Sequence, residues 1–148
     1  MNIEITNLTG ASCDEDRLTG VATFALERLG IHPDSELSIS IVSASDIAAL
    51  NAQWMDEDGP TDVLSFPMDE LRPNSAPSGP GLLGDIVLCP EYAAPQAAAA
   101  GHGLQDELEL LTVHGVLHLL GFDHREADES EIMFGKQAEY LKGWRSRL

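Results

Sequence analysis

The stretch from His114 to His124 constrains this chain more than any other. Three of its five histidines, His114, His118 and His124, fall within those eleven residues. His114 and His118 are four apart, which on an α-helix places them one turn above each other on the same face. Gly121 offers the helix a stop, because glycine tolerates the left-handed conformation that closes helices. His124 follows three residues later and can swing back from a turn toward the helical pair. Two imidazoles from a helix and a third from the next turn make a three-nitrogen metal site. Such a site keeps a coordination position open, the catalytic rather than the structural pattern for zinc. A histidine on an apolar helix is more often a hydrogen-bonded core residue. Three unpaired imidazoles in so apolar a segment would each need a buried partner, however, and that favours the metal.

The segments before this stretch predict how it is held. Asn2 to Leu8 alternates and reads as a strand, Asp14 to Leu29 as a helix ended by Gly30, and Glu36 to Val42 as a second strand. Ser45 is a candidate cap for a helix running to about Trp54, with Ile47, Leu50 and Trp54 on its buried side. Pro60 and Pro67 bracket a short apolar strand. Met68 to Gly81 reads as an exposed loop, and Leu82 to Cys89 as a strand interrupted at Gly84-Asp85 and pairing with the previous one as a hairpin. Pro90 opens an Ala-rich helix whose first turns Pro95 should disturb. His102 falls in the Gly101-His102-Gly103 break and reads as a loop residue rather than a fourth ligand. Leu104 to Leu120 is the histidine helix, apolar nearly all round and so central. Glu126 to about Trp144 is a last amphipathic helix with Ile132, Tyr140, Leu141 and Trp144 among its apolar residues. The predicted fold is α+β over residues 1–148. It is a single domain with a small mixed sheet of about four strands, about five helices and the metal site on a central helix.

Composition narrows the function. No apolar run is long enough to span a bilayer and no basic-then-apolar leader opens the chain, so a cytoplasmic protein without a membrane partner is expected. Cys13 and Cys89 form neither a disulfide framework nor a Cys-x-x-Cys pair, and Cys89 reads as a small core residue. A net charge of -17 argues against a broad polyphosphate-binding surface. Four of the eight basic residues, Lys136, Lys142, Arg145 and Arg147, lie in the last thirteen positions, a candidate local basic strip or simply a solvated helix end.

Neutral imidazole suits copper, nickel and iron as well as zinc, and zinc is the default for three histidines. A metal of this kind points to hydrolysis. The spacing equals that of the extended zinc-protease motif H-E-x-x-H-x-x-G-x-x-H, except that Gly115 stands where those proteases carry the general-base glutamate. Glycine accepts no proton, so the metal geometry is kept while the peptidase chemistry is not. Asp123, Asp85 and Glu107 are base candidates by pattern alone. Asp123 reads equally as a turn residue or a partner fixing a histidine tautomer, and Asp85 as a strand-edge or turn carboxylate. No catalytic acid or base is assigned from the sequence.

Three segments together resemble the YbeY family of bacterial metal-dependent endoribonucleases. They are Leu50-Asn51 to Trp54 continuing through Pro60 to Pro67, then Leu83-Gly84-Asp85-Ile86-Val87, and Thr112 to His124, Gly115 included. The resemblance covers roughly residues 36 to 144. It implies one zinc ion on His114, His118 and His124, and cleavage of single-stranded RNA. It further implies rRNA and the small ribosomal subunit as partners, with a role at the 3′ end of small-subunit (16S) rRNA and in ribosome quality control. The chain departs from the family at Met55, where an arginine commonly follows the aromatic residue, so that residue's natural phosphate contact is missing. Two other readings stand beside this one: a ribosome-assembly or binding factor with a structural metal, and a zinc hydrolase of another substrate.

Overall fold

The structure is a computed structural model describing residues 1–148. Its elements are β1 (Asn2–Asn7), α1 (Glu15–Arg28), β2 (Glu36–Ile41), α2 (Ala44–Met55), β3 (Val63–Pro67), β4 (Leu82–Leu88), α3 (Pro90–Ala100), α4 (Leu104–Leu119) and α5 (Ala127–Arg145), with a short 3-10 turn at Ala76–Ser78. The strands form one sheet in the order β1-β2-β4-β3. β1 and β4 run parallel to β2, and β3 runs antiparallel to β4. The α+β architecture with a mixed four-stranded sheet and five α-helices is as the sequence predicts, including the β3–β4 hairpin across the long loop.

Alternation along the strands puts one side chain set on each face of the sheet. Leu37, Ile39 and Ile41 of β2 and Leu83, Ile86 and Leu88 of β4 join the main core with α1, α4 and α5. Val87 and Leu64 face the other way and meet Ile47 of α2 in a smaller cluster. The step from Leu83 to Ile86 breaks the two-residue rhythm through a bulge: Glu36 pairs with Leu82 but Leu37 with Gly84. What reads in the sequence as an interruption is therefore an extra residue in a continuous strand. Gly84 is required there, since φ is +132° and a Cβ would overlap the carbonyl oxygen of Phe66 on β3.

Three local expectations are corrected. The cap of α2 is Ser43, whose side chain accepts from the Asp46 N–H, and not Ser45. Trp54 is 63% exposed: α2 meets the sheet mainly through Ile47, and Trp54 rims an open hollow over Phe66 and Asp85 instead of joining the cluster. Pro95 leaves α3 unbroken from Pro90 to Ala100. It lies at the middle of the helix, where its missing N–H removes one backbone bond, the one to the Glu91 carbonyl, and leaves the rest of the ladder. Elsewhere, on α5, Tyr140 and Leu141 lie on the buried face as expected, with Met133 and Gln137, while Ile132 is 55% exposed.

α4 is the middle of the molecule. It packs against β3, β4, α1, α3 and α5, and Leu108, Val113, Val116 and Leu117 have no exposed surface. Its N-terminal half carries a second buried acid beside Glu107: Glu109, fully buried, receives Arg17 of α1 through Nε at 2.9 Å and Nη2 at 3.2 Å. A fork-shaped guanidinium satisfies both carboxylate oxygens, which makes this burial tolerable.

Candidate metal centre

The last turn of α4 closes as the sequence predicts at Gly121, and the closure aims the third histidine. The Phe122 N–H donates to the Leu117 carbonyl at 3.1 Å and the Gly121 N–H to the His118 carbonyl at 3.0 Å. This is the paired bond pattern of a Schellman stop, with Gly121 at φ +92°. Asp123 then takes the His124 N–H on Oδ1 at 2.7 Å and the Arg125 guanidinium on Oδ2 at 3.1 Å. The turn so fixed carries His124 back over the helix.

The three imidazoles converge. Ring centroids are 4.7 Å apart for His114–His118, 5.5 Å for His114–His124 and 5.3 Å for His118–His124. One ring nitrogen from each lies within 4.8 Å of the others. A first-row ion at about 2.0–2.1 Å from each nitrogen needs them somewhat closer, a change that small rotations about the side-chain torsions supply. Gln137 of α5 places its Oε1 2.8 Å from His114 Nδ1. An amide oxygen only accepts, so Nδ1 carries the proton and Nε2 keeps its lone pair for the cleft. Burial, reinforced by His114 and His124, pushes His118 down to about 4, and burial also lowers His114. Both rings are thus neutral at pH 7, the state in which imidazole binds a metal. The donor set, its convergence and the neutral rings of His114 and His118 fit one divalent ion.

The histidines line a cleft of ≈ 730 Å³ whose other lining comes from Met55 at the end of α2 and from β3 and the segment before it, including Thr61, Asp62 and Ser65. Asn51 shapes that wall from α2, donating its side-chain amide to the Gly59 carbonyl at 3.1 Å. Phe134 of α5 closes one side, stacked on His114 at 5.8 Å and tilted against His124 at the same distance. Gln137, Phe134 and Asp62 are site residues that sequence reasoning missed. Gln137 had one detectable signal: it is a polar residue on the stripe with Met133, Tyr140 and Leu141.

The three candidate bases separate. Glu107 does line the cleft, two helical turns before His114, but its Oε1 is held by His102 Nε2 at 2.6 Å. His102 is a loop residue outside the histidine cluster. Asp85 belongs to the other face of the sheet, beside Trp54, Phe66 and Val87. Asp123 is a turn residue, its carboxyl held below the ordinary range chiefly by the His124 backbone N–H. Gly115 has a steric reason: a Cβ there would stand 3.1 Å from the Ile86 side chain, and its carbonyl accepts the Ser65 hydroxyl at 3.3 Å. A glutamate at this position would be driven into the sheet instead of the cleft.

Comparison with known proteins agrees with this geometry. The family model described as endoribonuclease YbeY matches residues 4–145. The endoribonuclease YbeY of Thermobifida fusca is 53% identical over 150 residues, covering 100% of this chain and 97% of the relative. That of Acidothermus cellulolyticus is 54% identical over 152 residues, covering 99% and 93%. A Thermotoga maritima protein known from its solution structure superposes with a TM-score of 0.63 at 30% identity, covering 98% of this chain and 93% of that one. No helix is long and apolar enough to cross a membrane. With a family match over nearly its whole length and relatives above half identity, the chain belongs to the YbeY family of endoribonucleases.

Proposed function

We propose that this single-domain protein is a zinc-dependent endoribonuclease specific for single strands. It holds one zinc ion on His114, His118 and His124. It works in the cytoplasm on the 3′ end of small-subunit (16S) rRNA and in ribosome quality control, with the small ribosomal subunit as its partner. The observation that carries the reading is the convergence of three imidazoles in an open cleft beside a helix position, Gly115, that carries no protease base and is crowded by Ile86.

When bound, zinc supplies Lewis-acid polarisation of a phosphoryl oxygen and acidifies water. The chain's own residues do the rest. Gln137 holds His114 in the tautomer that turns Nε2 to the cleft. Phe134, 44% exposed beside His114 and His124, offers a face on which an unstacked base can lie. A base paired in a duplex cannot reach that face, which supports the single-strand preference. RNA brings an internal nucleophile in its 2′-hydroxyl, so the missing glutamate is less costly for RNA than for a peptide. Losing a positioned acid-base group costs a hydrolase about 10²–10⁴-fold.

The test uses metal-replete protein at low salt with an unstructured RNA and, separately, a casein-type peptide substrate. RNA cleavage that disappears with His114→Ala, with the peptide intact, is the expected result. Peptide cleavage that depends on His114 with RNA untouched overturns the reading. Intact RNA and intact peptide leave a ribosome-assembly factor.

A further inference from the structure

The histidine cleft carries no lysine or arginine; its charged residues besides the histidines are Asp62 and Glu107. In a chain of net charge -17, a phosphodiester strand needs a cation at the site to be held at all. The eight basic side chains can be accounted for one by one. Arg17, Arg125 and Arg145 pair with Glu109, Asp123 and Asp106. Arg28 and Arg147 lie over Phe24, and Lys136 over Phe122. Lys142 and Arg72 remain. Lys142 stands on the last turn of α5, the end at which Arg145 reaches Asp106 in the first turn of α4. Asp106 is twelve residues before His118, about 18 Å along the helix. Lys142 and Arg145 of the C-terminal strip are thus at the wrong end of α4, and Lys136, nearer the right end, lies over the Phe122 ring.

Arg72 is at the right end. Its Nη1 lies 3.8 Å from the point where a Cβ would stand on Gly121, in the turn that joins His118 to His124. With His118 and Gly121 it lines a notch of ≈ 300 Å³, and this notch shares Pro67 and His118 with the main cleft. Glu70 lines the same notch without pairing with Arg72. The loop that carries Arg72 is tied on both sides. Asp69 exchanges bonds with Leu82, its N–H donating to the carbonyl at 3.0 Å and its Oδ2 accepting the N–H at 2.7 Å. Leu71 packs on the core, and the Asn74 N–H donates to the Leu29 carbonyl at 2.8 Å. An unpaired guanidinium on an anchored loop is poised for an anion, and it can grip a phosphate with two parallel N–H bonds.

We propose that Arg72 is a positioning residue that binds an RNA phosphate next to the one at the histidines, so that the strand leaves the cleft through the Arg72–Gly121 notch. This rests on the RNA reading above. The opposite end of the cleft, with Asp62 and Glu107, repels phosphate and suits base and ribose donors. Together the two ends fix which way the backbone lies.

The experiment measures cleavage and binding of a single-stranded RNA by zinc-loaded wild type, Arg72→Ala, Arg72→Lys and Lys142→Ala, over a salt series. Matched zinc content and melting temperature establish that the variants fold alike. Arg72→Ala should raise KM about tenfold, leave kcat within about twofold, and lower the salt dependence of binding by about one phosphate contact. Arg72→Lys should restore part of the affinity, and Lys142→Ala should change nothing. Wild-type cleavage with an unaltered KM and salt slope in Arg72→Ala overturns the proposal alone. So does a KM effect confined to Lys142→Ala, which would run the strand along α5. Absence of RNA binding by the wild type overturns both this proposal and the function it rests on.

Discussion

The two ends of α4 face the same problem and meet it in opposite ways. Both bury polar side chains against a largely apolar helix. At the N-terminal end every acid has a protein partner: Glu109 has Arg17, Glu107 has His102, and Asp106 has Arg145. At the C-terminal end His114 has Gln137, while His118 and His124 have no partner side chain and turn to a cleft. Side chains that satisfy one another hold helices together, as Arg17 holds α1 on α4. Side chains left unsatisfied at short range are available to an ion. One helix therefore separates stability at one end from chemistry at the other.

That division can be tested by breaking each end in turn. The largest effect is expected at the open end: His118→Ala should lose the zinc and reduce RNA cleavage at least about 10³-fold, while the far-ultraviolet circular dichroism stays native. Elemental analysis with a cleavage assay reads both. A chain of this length buries a core without metal, so chelated wild type should also keep its secondary structure with a lower melting temperature. At the closed end the outcome should reverse. Arg17→Ala leaves the fully buried Glu109 without its cation, with only the Gln105 amide on Oε2, and should cost about 3 kcal/mol in urea unfolding, with zinc stoichiometry unchanged. Between the two lies Gln137→Leu, which frees the His114 tautomer and should weaken zinc about 10–100-fold in a competition titration without removing the site.

The smallest effect is on pH dependence. Burial holds His118 at about 4 against an ordinary 6.5, so between those values the unfolded chain binds a proton that the folded chain does not. Stability of the chelated protein should consequently fall as pH drops from about 6.5 to 4, and rise on the way back. His118→Gln removes that proton and should flatten the slope in this window, as urea midpoints at several pH values will show. If His118→Gln and wild type fall in parallel, the ring is not desolvated and the open end is wetter than described.

Much of this division was legible in the residues. The histidine spacing, the Gly121 stop and the apolar circumference of the Leu104–Leu120 segment are local patterns, and helix periodicity turns them into a central helix with a convergent triad. The strands and the β3–β4 pairing followed for the same reason, since alternation and proline placement act within a few residues. What failed was decided by neighbours distant in sequence. Trp54 has the right spacing to be buried, but α2 packs on the sheet through Ile47 and leaves Trp54 on the rim of an open hollow. Asp85 and Glu107 were equal as base candidates until the bulge at Gly84 and the packing of α4 put them on opposite sides of the sheet.

By itself the sequence determined which chemistry is available: three imidazoles at metal-ligand spacing, no glutamate after the first, and a large negative charge. Tertiary structure alone decided how that chemistry is supported and reached. Gln137 touches His114 across 23 positions, Ile86 crowds the space at Gly115 from β4, and Arg72 comes from the β3–β4 loop to lie beside the Gly121 turn. The physical reason is range: helix spacing and turn closure arise from interactions over three to five residues, whereas a hydrogen-bond partner, a steric limit or a nearby cation depends on which elements pack together.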